Sequence, residues 1–174
     1  MQTNALPVTD TSVNTTGCCP QFNPAGWDRQ DLHFRDKRFL RAHTASIAHV
    51  PLNMGKVFDR VLGHIDAHHA ADPTQTITLS RELSPWGAEH LFAITGDVPE
   101  EEQVRISGDY LTGVFEGPFS AVRDWTAQMR ALATDAGHQP GPVWFYYTTC
   151  PKCAKVYGKN PVVGVVELLP TAAQ

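Results

Sequence analysis

The chain has 174 residues, of which 42% are hydrophobic and 18% are charged, and its formal net charge is −4. This length and composition predict one soluble globular domain with a core of its own. The negative charge and scattered Lys and Arg exclude a nucleic-acid surface, and no run approaches the roughly 20 apolar residues of a membrane helix.

The N-terminal segment, residues 1–17, is rich in Thr, Asn and Ser and has no hydrophobic period. We therefore expect a flexible N-terminal arm ahead of one domain spanning 18–174. Residues 18–38 hold two prolines and mixed charge, which predicts an irregular segment or one short helix. Because the arm lacks the basic start and apolar run of a signal peptide, we expect a cytoplasmic protein with reduced thiols.

The rest of the chain reads as two pseudo-repeats, at about 39–100 and 104–170, each in the order strand–helix–strand–strand. An offset of 65 residues aligns Val57 with Val122. Apolar residues recur at helical spacing in the two predicted helices, at Val57, Val61, Leu62 and Ile65 and at Val122, Trp125, Met129 and Leu132. The six predicted strands begin at Phe39, Thr76, His90, Gly108, Pro142 and Pro161. We predict an α+β fold in which an antiparallel sheet carries two helices on one face.

All four cysteines lie in two pairs, Cys18-Cys19 in GCCPQF and Cys150-Cys153 in TTCPKCAK. A Cys-x-x-Cys knuckle brings two thiolates to one metal ion, and the second pair could complete a four-sulfur zinc site. Such a site would pin the arm to the last third of the domain. Side chains of adjacent residues diverge in an extended segment, so an alternative has one of the first pair packing while a histidine binds. The plain alternative is four reduced thiols that behave as small hydrophobes.

The CPKC motif also predicts, as an alternative, a thiol-redox protein. Lys152 and Lys155 would favour a thiolate there. A thioredoxin-type site opens a long helix, however, whereas Gly158, Asn160 and Pro161 break this chain soon after the motif. Redox chemistry therefore ranks behind metal binding.

Five residues are candidates for binding a ligand: Trp86, Tyr146, Tyr147, Asp109 and His90. Aromatic side chains can wall a pocket for a flat or apolar ligand, and a few polar groups then fix its orientation. Tyr146 and Tyr147 alternate along a predicted strand, so they face opposite sides of the sheet. One face should pack on the helices, and the other should line a cleft or meet solvent.

Glu116 and Glu82 are the candidates for acid–base catalysis. A carboxylate in an apolar pocket has a raised pKa that suits proton transfer. Glu116 precedes Gly117 and Pro118 at a predicted strand–helix junction, where the helix N-terminus would stabilise its charge. A structural role at that junction is the alternative reading of Glu116.

The duplicated unit and the turn EGPF at 116–119, which leads into an amphipathic helix, resemble the gyrase-inhibitor-like (GyrI-like) small-molecule-binding domains of SHS2 type. The resemblance covers about residues 39–170. It implies a cleft between the two halves for a drug-like or hydrophobic cationic molecule, and some members hydrolyse strained electrophiles. That family often carries a pocket glutamate on a strand of the second half, and the matching strand here reads VWFYYTT.

More narrowly, GCCPQFNPAGWD, VPLNMGKV, SPW, VFEGPF and YYTTCPKCAKVYGKN are similar to a family of uncharacterised bacterial proteins labelled as hydrolases. The resemblances imply a hydrolase acting on a small aromatic or electrophilic compound between the two halves, with zinc in a structural role. In a variant, an open position on the zinc activates water. A non-catalytic small-molecule-binding module is the alternative, and a thiol-redox protein is the second. An exposed sheet edge would permit a homodimer.

Overall fold

Runs of β-branched and aromatic residues form seven strands in the computed structural model, which describes residues 2–171. The strands are β1 Asp31–Ile47, β2 Val50–Pro51, β3 Thr78–Ser84, β4 Gly87–Ala93, β5 Glu102–Glu116, β6 Gln139–Tyr147 and β7 Pro161–Leu169. The helices are α1 Met54–Ala67, α2 Val122–Asp135 and α3 Pro151–Tyr157. The predicted α+β class is confirmed, with three helices where two were expected.

Six strands close into a barrel because the long strand β1 pairs with β4 on one side and with β5 on the other. The order around the barrel is β1-β4-β3-β6-β7-β5, and neighbouring strands are antiparallel. The predicted antiparallel sheet is confirmed, whereas its closure was not predicted. The predicted duplication stays a prediction. The likeness to gyrase-inhibitor-like domains stays a prediction.

Alternation along each strand separates the barrel interior from its outer face. On β6, Trp144 and Tyr146 point into the interior cluster, while Val143 and Phe145 pack outside against α2. This is the two-face arrangement that the period of two predicts. Side chains of this cluster fill the barrel interior, and the cleft predicted between the two halves stays a prediction.

Both long helices pack on the outer face. Helix α1 buries Val57, Val61 and Ile65 in one cluster, whereas Leu62, which is also at helical spacing, is 49% exposed. Helix α2 buries Trp125, Met129 and Ala133. A Cβ atom on Gly164 of β7 would lie only 2.8 Å from Met129, so glycine is what lets this helix approach the sheet.

The N-terminal segment fills the interior that the strands enclose. Trp27 is fully buried and contacts Phe22 and Tyr146, with 5.7 Å between ring centroids in each pair. Leu6 is also buried, and the Asn4 N–H donates to the carbonyl of His33 at 2.8 Å. The described part of the predicted arm therefore lies against the barrel at these positions.

Strand β1 begins eight residues earlier than the strand predicted at Phe39. Leu32 and Phe34 alternate with polar residues and point into the interior, which extends the strand over the segment expected to be irregular.

Within residues 2–171, no helix has the length and apolar character needed to cross a membrane.

Candidate metal centre and adjoining cleft

The four cysteine sulfurs meet at one place, although Cys19 and Cys150 are 131 residues apart in the chain. All four Sγ atoms lie within 4.8 Å of one another, and those of Cys18 and Cys19 are 3.7 Å apart. Tetrahedral zinc with Zn–S bonds of about 2.3 Å holds its sulfurs about 3.8 Å apart. No pair is disulfide-bonded. These residues, called here the cysteine cluster, therefore fit a four-sulfur ligand set.

Two tight local structures aim the sulfurs at this point. Cys150 caps α3 with Pro151 next to it, and Cys153 follows within the first turn. On the arm, Gly17 has a φ of 68°, and the turn it makes directs both Cys18 and Cys19 into the cluster. The expectation that adjacent cysteines diverge is wrong here because the segment is a turn and not an extended strand.

Two side chains outside the cluster hold its parts together. The Cys153 Sγ lies 3.2 Å from Thr16 Oγ1, which also accepts the backbone N–H of Cys19 at 3.3 Å. The Tyr157 hydroxyl donates to the Cys19 carbonyl at 2.6 Å. The Cys150 N–H donates to the Cys19 sulfur at 3.5 Å. Such outer partners orient metal ligands and tune their basicity.

The thiols differ in how readily they lose a proton. The hydrogen bond with Thr16 is the main reason that the pKa of Cys153 falls to about 7. Burial raises the pKa of Cys19 to about 12. A bound dication stabilises thiolates and releases their protons, so metal binding would overcome the cost at Cys19.

An open cleft of about 340 Å³ lies where the arm crosses the end of β5. We call it the arm cleft. Its volume is at the lower end of the range for small-molecule sites. It is lined by Asp10, Val13, Gln21, Phe22, Asn23 and Pro24 from the arm side and by Val114, Phe115, Glu116, Lys159 and Pro161. Glu116, a predicted catalytic residue, thus borders a cavity with aromatic walls and a neighbouring cation.

The other predicted carboxylate lies elsewhere. Glu82 is exposed near the end of β3 and accepts a hydrogen bond from His49 Nδ1 at 2.7 Å. Trp86 sits in the turn between β3 and β4 and is 65% exposed. Neither residue lines the arm cleft.

The remaining predicted ligand-binding residues are also dispersed. Tyr146 is buried inside the barrel, whereas Tyr147 packs outside, with its ring 5.9 Å from that of Phe119. Asp109 is exposed and hydrogen-bonded to His33. The structure therefore does not bring the five predicted ligand-binding residues to one place.

His90 is enclosed between the barrel and α1. Its Nε2 lies 2.9 Å from Thr44 Oγ1, and its Nδ1 lies 2.8 Å from Ser80 Oγ. The Phe58 ring stands edge-on at 5.0 Å. Burial, together with the charge of His43, lowers the pKa of His90 to about 4. The imidazole is therefore neutral at physiological pH and serves the packing of the outer face.

Charged residues inside the barrel were missed by the sequence analysis. Glu89 has a side chain only 8% exposed and lies 2.8 Å from Arg41 and 2.9 Å from Arg81. The Arg81 guanidinium lies 4.4 Å from the Trp144 ring centroid. The sequence signal for Glu89 was its spacing, because it lies two residues before the interior residue Leu91 on β4 and therefore faces the same side of the strand.

Glu167 is the second charged residue that was missed. It follows Val163 and Val165 at spacing two on β7, and both valines face the interior. Burial raises the pKa of Glu167, against the lowering effect of Arg81. Burial, and then the charges of Glu167 and Asp109, keep the pKa of Tyr110 above its usual range. One end of the barrel interior is therefore polar.

Comparison with protein families identifies one match. A family model described as bacterial hydrolase matches residues 9–168, which is most of the chain. No curated protein matches.

Solved structures with a similar fold include two from Listeria innocua. One is an uncharacterized conserved protein from Listeria innocua, with a TM-score of 0.57 and 11% identity over 80% of this chain and 91% of that chain. The other is a hydrolase from Listeria innocua, with a TM-score of 0.55, 11% identity and the same shares of the two chains. At this identity the likeness shows the fold alone.

Proposed function

Because this chain belongs to the bacterial hydrolase family, we propose that it hydrolyses a small aromatic or electrophilic compound bound in the arm cleft. The observation that carries the proposal is Glu116, a carboxylate on the wall of a cavity of ligand size. A similarly folded protein from Listeria innocua is described as a hydrolase, which agrees with this class of reaction.

The lining of the arm cleft supplies three parts of such a reaction. Phe22 and Phe115 offer apolar surface to the ring of a substrate. The Glu116 carboxylate would take a proton from the attacking water as general base. The Lys159 ammonium, on the same cleft, would stabilise negative charge that develops on the substrate. Glu82, the other predicted base, lies outside this cleft and is the comparison residue.

The cysteine cluster is proposed to hold a structural zinc ion. Four sulfurs fill a tetrahedral coordination sphere, so a zinc ion bound by all of them has no open position for water. Zinc bound by all four sulfurs would cross-link the arm to α3 and so stabilise the fold. The variant in which zinc activates water would need one of Cys18, Cys19, Cys150 or Cys153 to leave the metal.

Matched variants at the two carboxylates test the catalytic part. We would assay the zinc-loaded protein against chromogenic aromatic esters and epoxides and then compare Glu116→Gln with Glu82→Gln. The first change should lower kcat/KM by about 10²–10⁴-fold, and the second should leave it within about twofold. Equal rates in both variants would contradict a role for Glu116. Saturable binding without turnover would support the non-catalytic binding module instead.

One observation favours the redox alternative, since a pKa of about 7 gives Cys153 thiolate character at neutral pH. Cys153 is only 2% exposed, however, and three further sulfurs surround it. Metal binding therefore accounts for more of the geometry than disulfide exchange does.

The expected partners are the small-molecule substrate and, through an exposed edge such as β2, a second copy of the chain. Neither nucleic acid nor a membrane is expected as a partner.

A further inference from the structure

The cysteine cluster takes two ligands from each of two segments. Cys18 and Cys19 directly follow the arm, while Cys150 and Cys153 form one Cys-x-x-Cys pair at the start of α3. Because the barrel-side ligands are confined to a single pair, one disulfide between them would remove both thiolates through which a metal ion could join the N-terminal segment to α3.

The arm is anchored on both sides of the cluster by independent contacts. Before it, Leu6 is buried and the Thr9 N–H donates to the Thr74 carbonyl at 3.0 Å. After it, Phe22 and Trp27 pack inside the barrel. Residues 10–20 therefore form a closed loop whose two ends stay in place when the cluster changes.

Residues 10–20 contact the rest of the protein at the cluster and at Tyr157. The Cys19 sulfur accepts the Cys150 N–H, the Cys153 sulfur meets Thr16 Oγ1, and the Tyr157 hydroxyl donates to the Cys19 carbonyl. The same loop carries Asp10 and Val13 on the wall of the arm cleft. The position of this loop consequently shapes the proposed substrate site.

We propose that the cysteine cluster is a redox-sensitive latch, in which oxidation of Cys150 and Cys153 by a peroxide expels the metal and releases residues 10–20 from the arm cleft. The inference rests on the proposed zinc site. Cys150 is half-buried. Its sulfur, as a thiolate, would attack one peroxide oxygen and break the O–O bond, giving a sulfenic acid and one water after protonation. The Cys153 thiolate then displaces the second oxygen as water and forms the S–S bond.

The reaction is balanced, because two thiolates, one hydrogen peroxide and two protons yield one disulfide and two waters. Two electrons pass from the sulfurs to the peroxide, and the zinc ion leaves as Zn²⁺ because two sulfurs remain of four. A competing bond between Cys18 and Cys19 is disfavoured. Cα atoms of adjacent residues are about 3.8 Å apart, below the usual disulfide range of about 4.4–6.8 Å.

The test uses the full-length zinc-loaded protein treated with one equivalent of hydrogen peroxide. We would measure zinc release with a colorimetric chelator, the disulfide by peptide mapping, and amide hydrogen exchange of residues 10–20. The expected result is one zinc released per disulfide, a Cys150–Cys153 bond, and exchange across residues 10–20 faster by at least about tenfold. Exchange at residues 4–9 and in β7 should stay unchanged, and dithiothreitol with added zinc should restore the starting state.

The Cys150→Ser variant represents the released state, since it lacks the barrel-side pair and should hold no zinc. Its exchange across residues 10–20 should be fast before oxidation and should not respond to peroxide. A disulfide joining the arm to α3, or zinc release with no change in loop exchange, would overturn the latch. None of these three readouts needs a substrate, so an absence of hydrolysis would count against the proposed reaction alone. Reduced protein without zinc would overturn the metal centre and the latch together, and elemental analysis before oxidation identifies that case.

Discussion

Replacing Trp27 with alanine tests whether the N-terminal segment is part of the barrel core. Trp27 is fully buried against Phe22 and Tyr146. Burying a side chain of this size removes about 150–250 Å² from water, which at about 25 cal/mol per Å² gives about 4–6 kcal/mol. The alanine keeps part of that contact, so we expect a loss of about 3–5 kcal/mol. For a chain of this length, that corresponds to a fall in Tm of about 6–20 °C.

The assay is urea unfolding followed by circular dichroism, with calorimetry for Tm. Phe119→Ala is the matched control, because Phe119 is an aromatic residue that is 61% exposed, and it should change stability by less than about 1 kcal/mol. If Trp27→Ala fails to fold, Trp27→Leu keeps the site apolar and should give an intermediate loss. A loss below about 1 kcal/mol for Trp27→Ala would refute the placement of Trp27 inside the barrel.

Three further predictions follow from single sites. The pKa of His90 is about 4 in the folded protein and about 6.5 in the unfolded chain, so the unfolded state binds more protons between these values and stability should fall as pH drops from 6.5 to 4. The loss is on the order of 3 kcal/mol, and a His90→Gln variant that keeps the same pH slope in urea titrations would contradict this. Gly164→Ala places a Cβ 2.8 Å from Met129 and should cost about 1–3 kcal/mol in thermal unfolding, whereas an unchanged Tm would argue against the close approach of α2. Thr16→Val removes the hydroxyl beside Cys153 and should weaken zinc binding about 10–100-fold in competition with a chelator, while Thr134→Val on the exposed end of α2 should have no effect.

Much of the secondary structure follows from local periodicity. Residues at helical spacing predict α1 and α2, and the alternation around Trp144 and Tyr146 predicts the two faces of β6. These patterns are local, so a single sequence is enough to show them. Leu62 is also at helical spacing but is exposed, because it lies at the edge of the apolar stripe, where spacing alone does not decide exposure.

The closure of the barrel has no local signature. It depends on β1 pairing with β5 from Asp31 to Arg41, across about 70 residues of chain, and on the irregular segment around Trp27 filling the interior. Long-range pairing of this kind is set by the fit of all six strands together. Helix α3 was missed for a different reason, since seven residues between Cys150 and Gly158 are too few for a periodic pattern.

The candidate site was predictable in part. Cysteine count and spacing led to the cysteine cluster, because thiolate chemistry limits what two such pairs do in one chain. The predicted aromatic residues do not form one ligand site. Tyr146 and Tyr147 lie on opposite faces of the barrel wall, and Trp86 lies in an exposed turn. The interior charges at Glu89 and Glu167 could have been inferred only once the direction of each strand face was known.

The most direct test of the metal centre is elemental analysis of the protein purified without chelator, alongside Cys19→Ser and Cys150→Ser. One change is on the arm and the other is on α3, so the pair tests whether both segments build one site. We predict about one zinc per chain in the unchanged protein and its loss in both variants. Metal-free protein, or a Cys19→Ser variant that retains its full zinc content, would contradict the account.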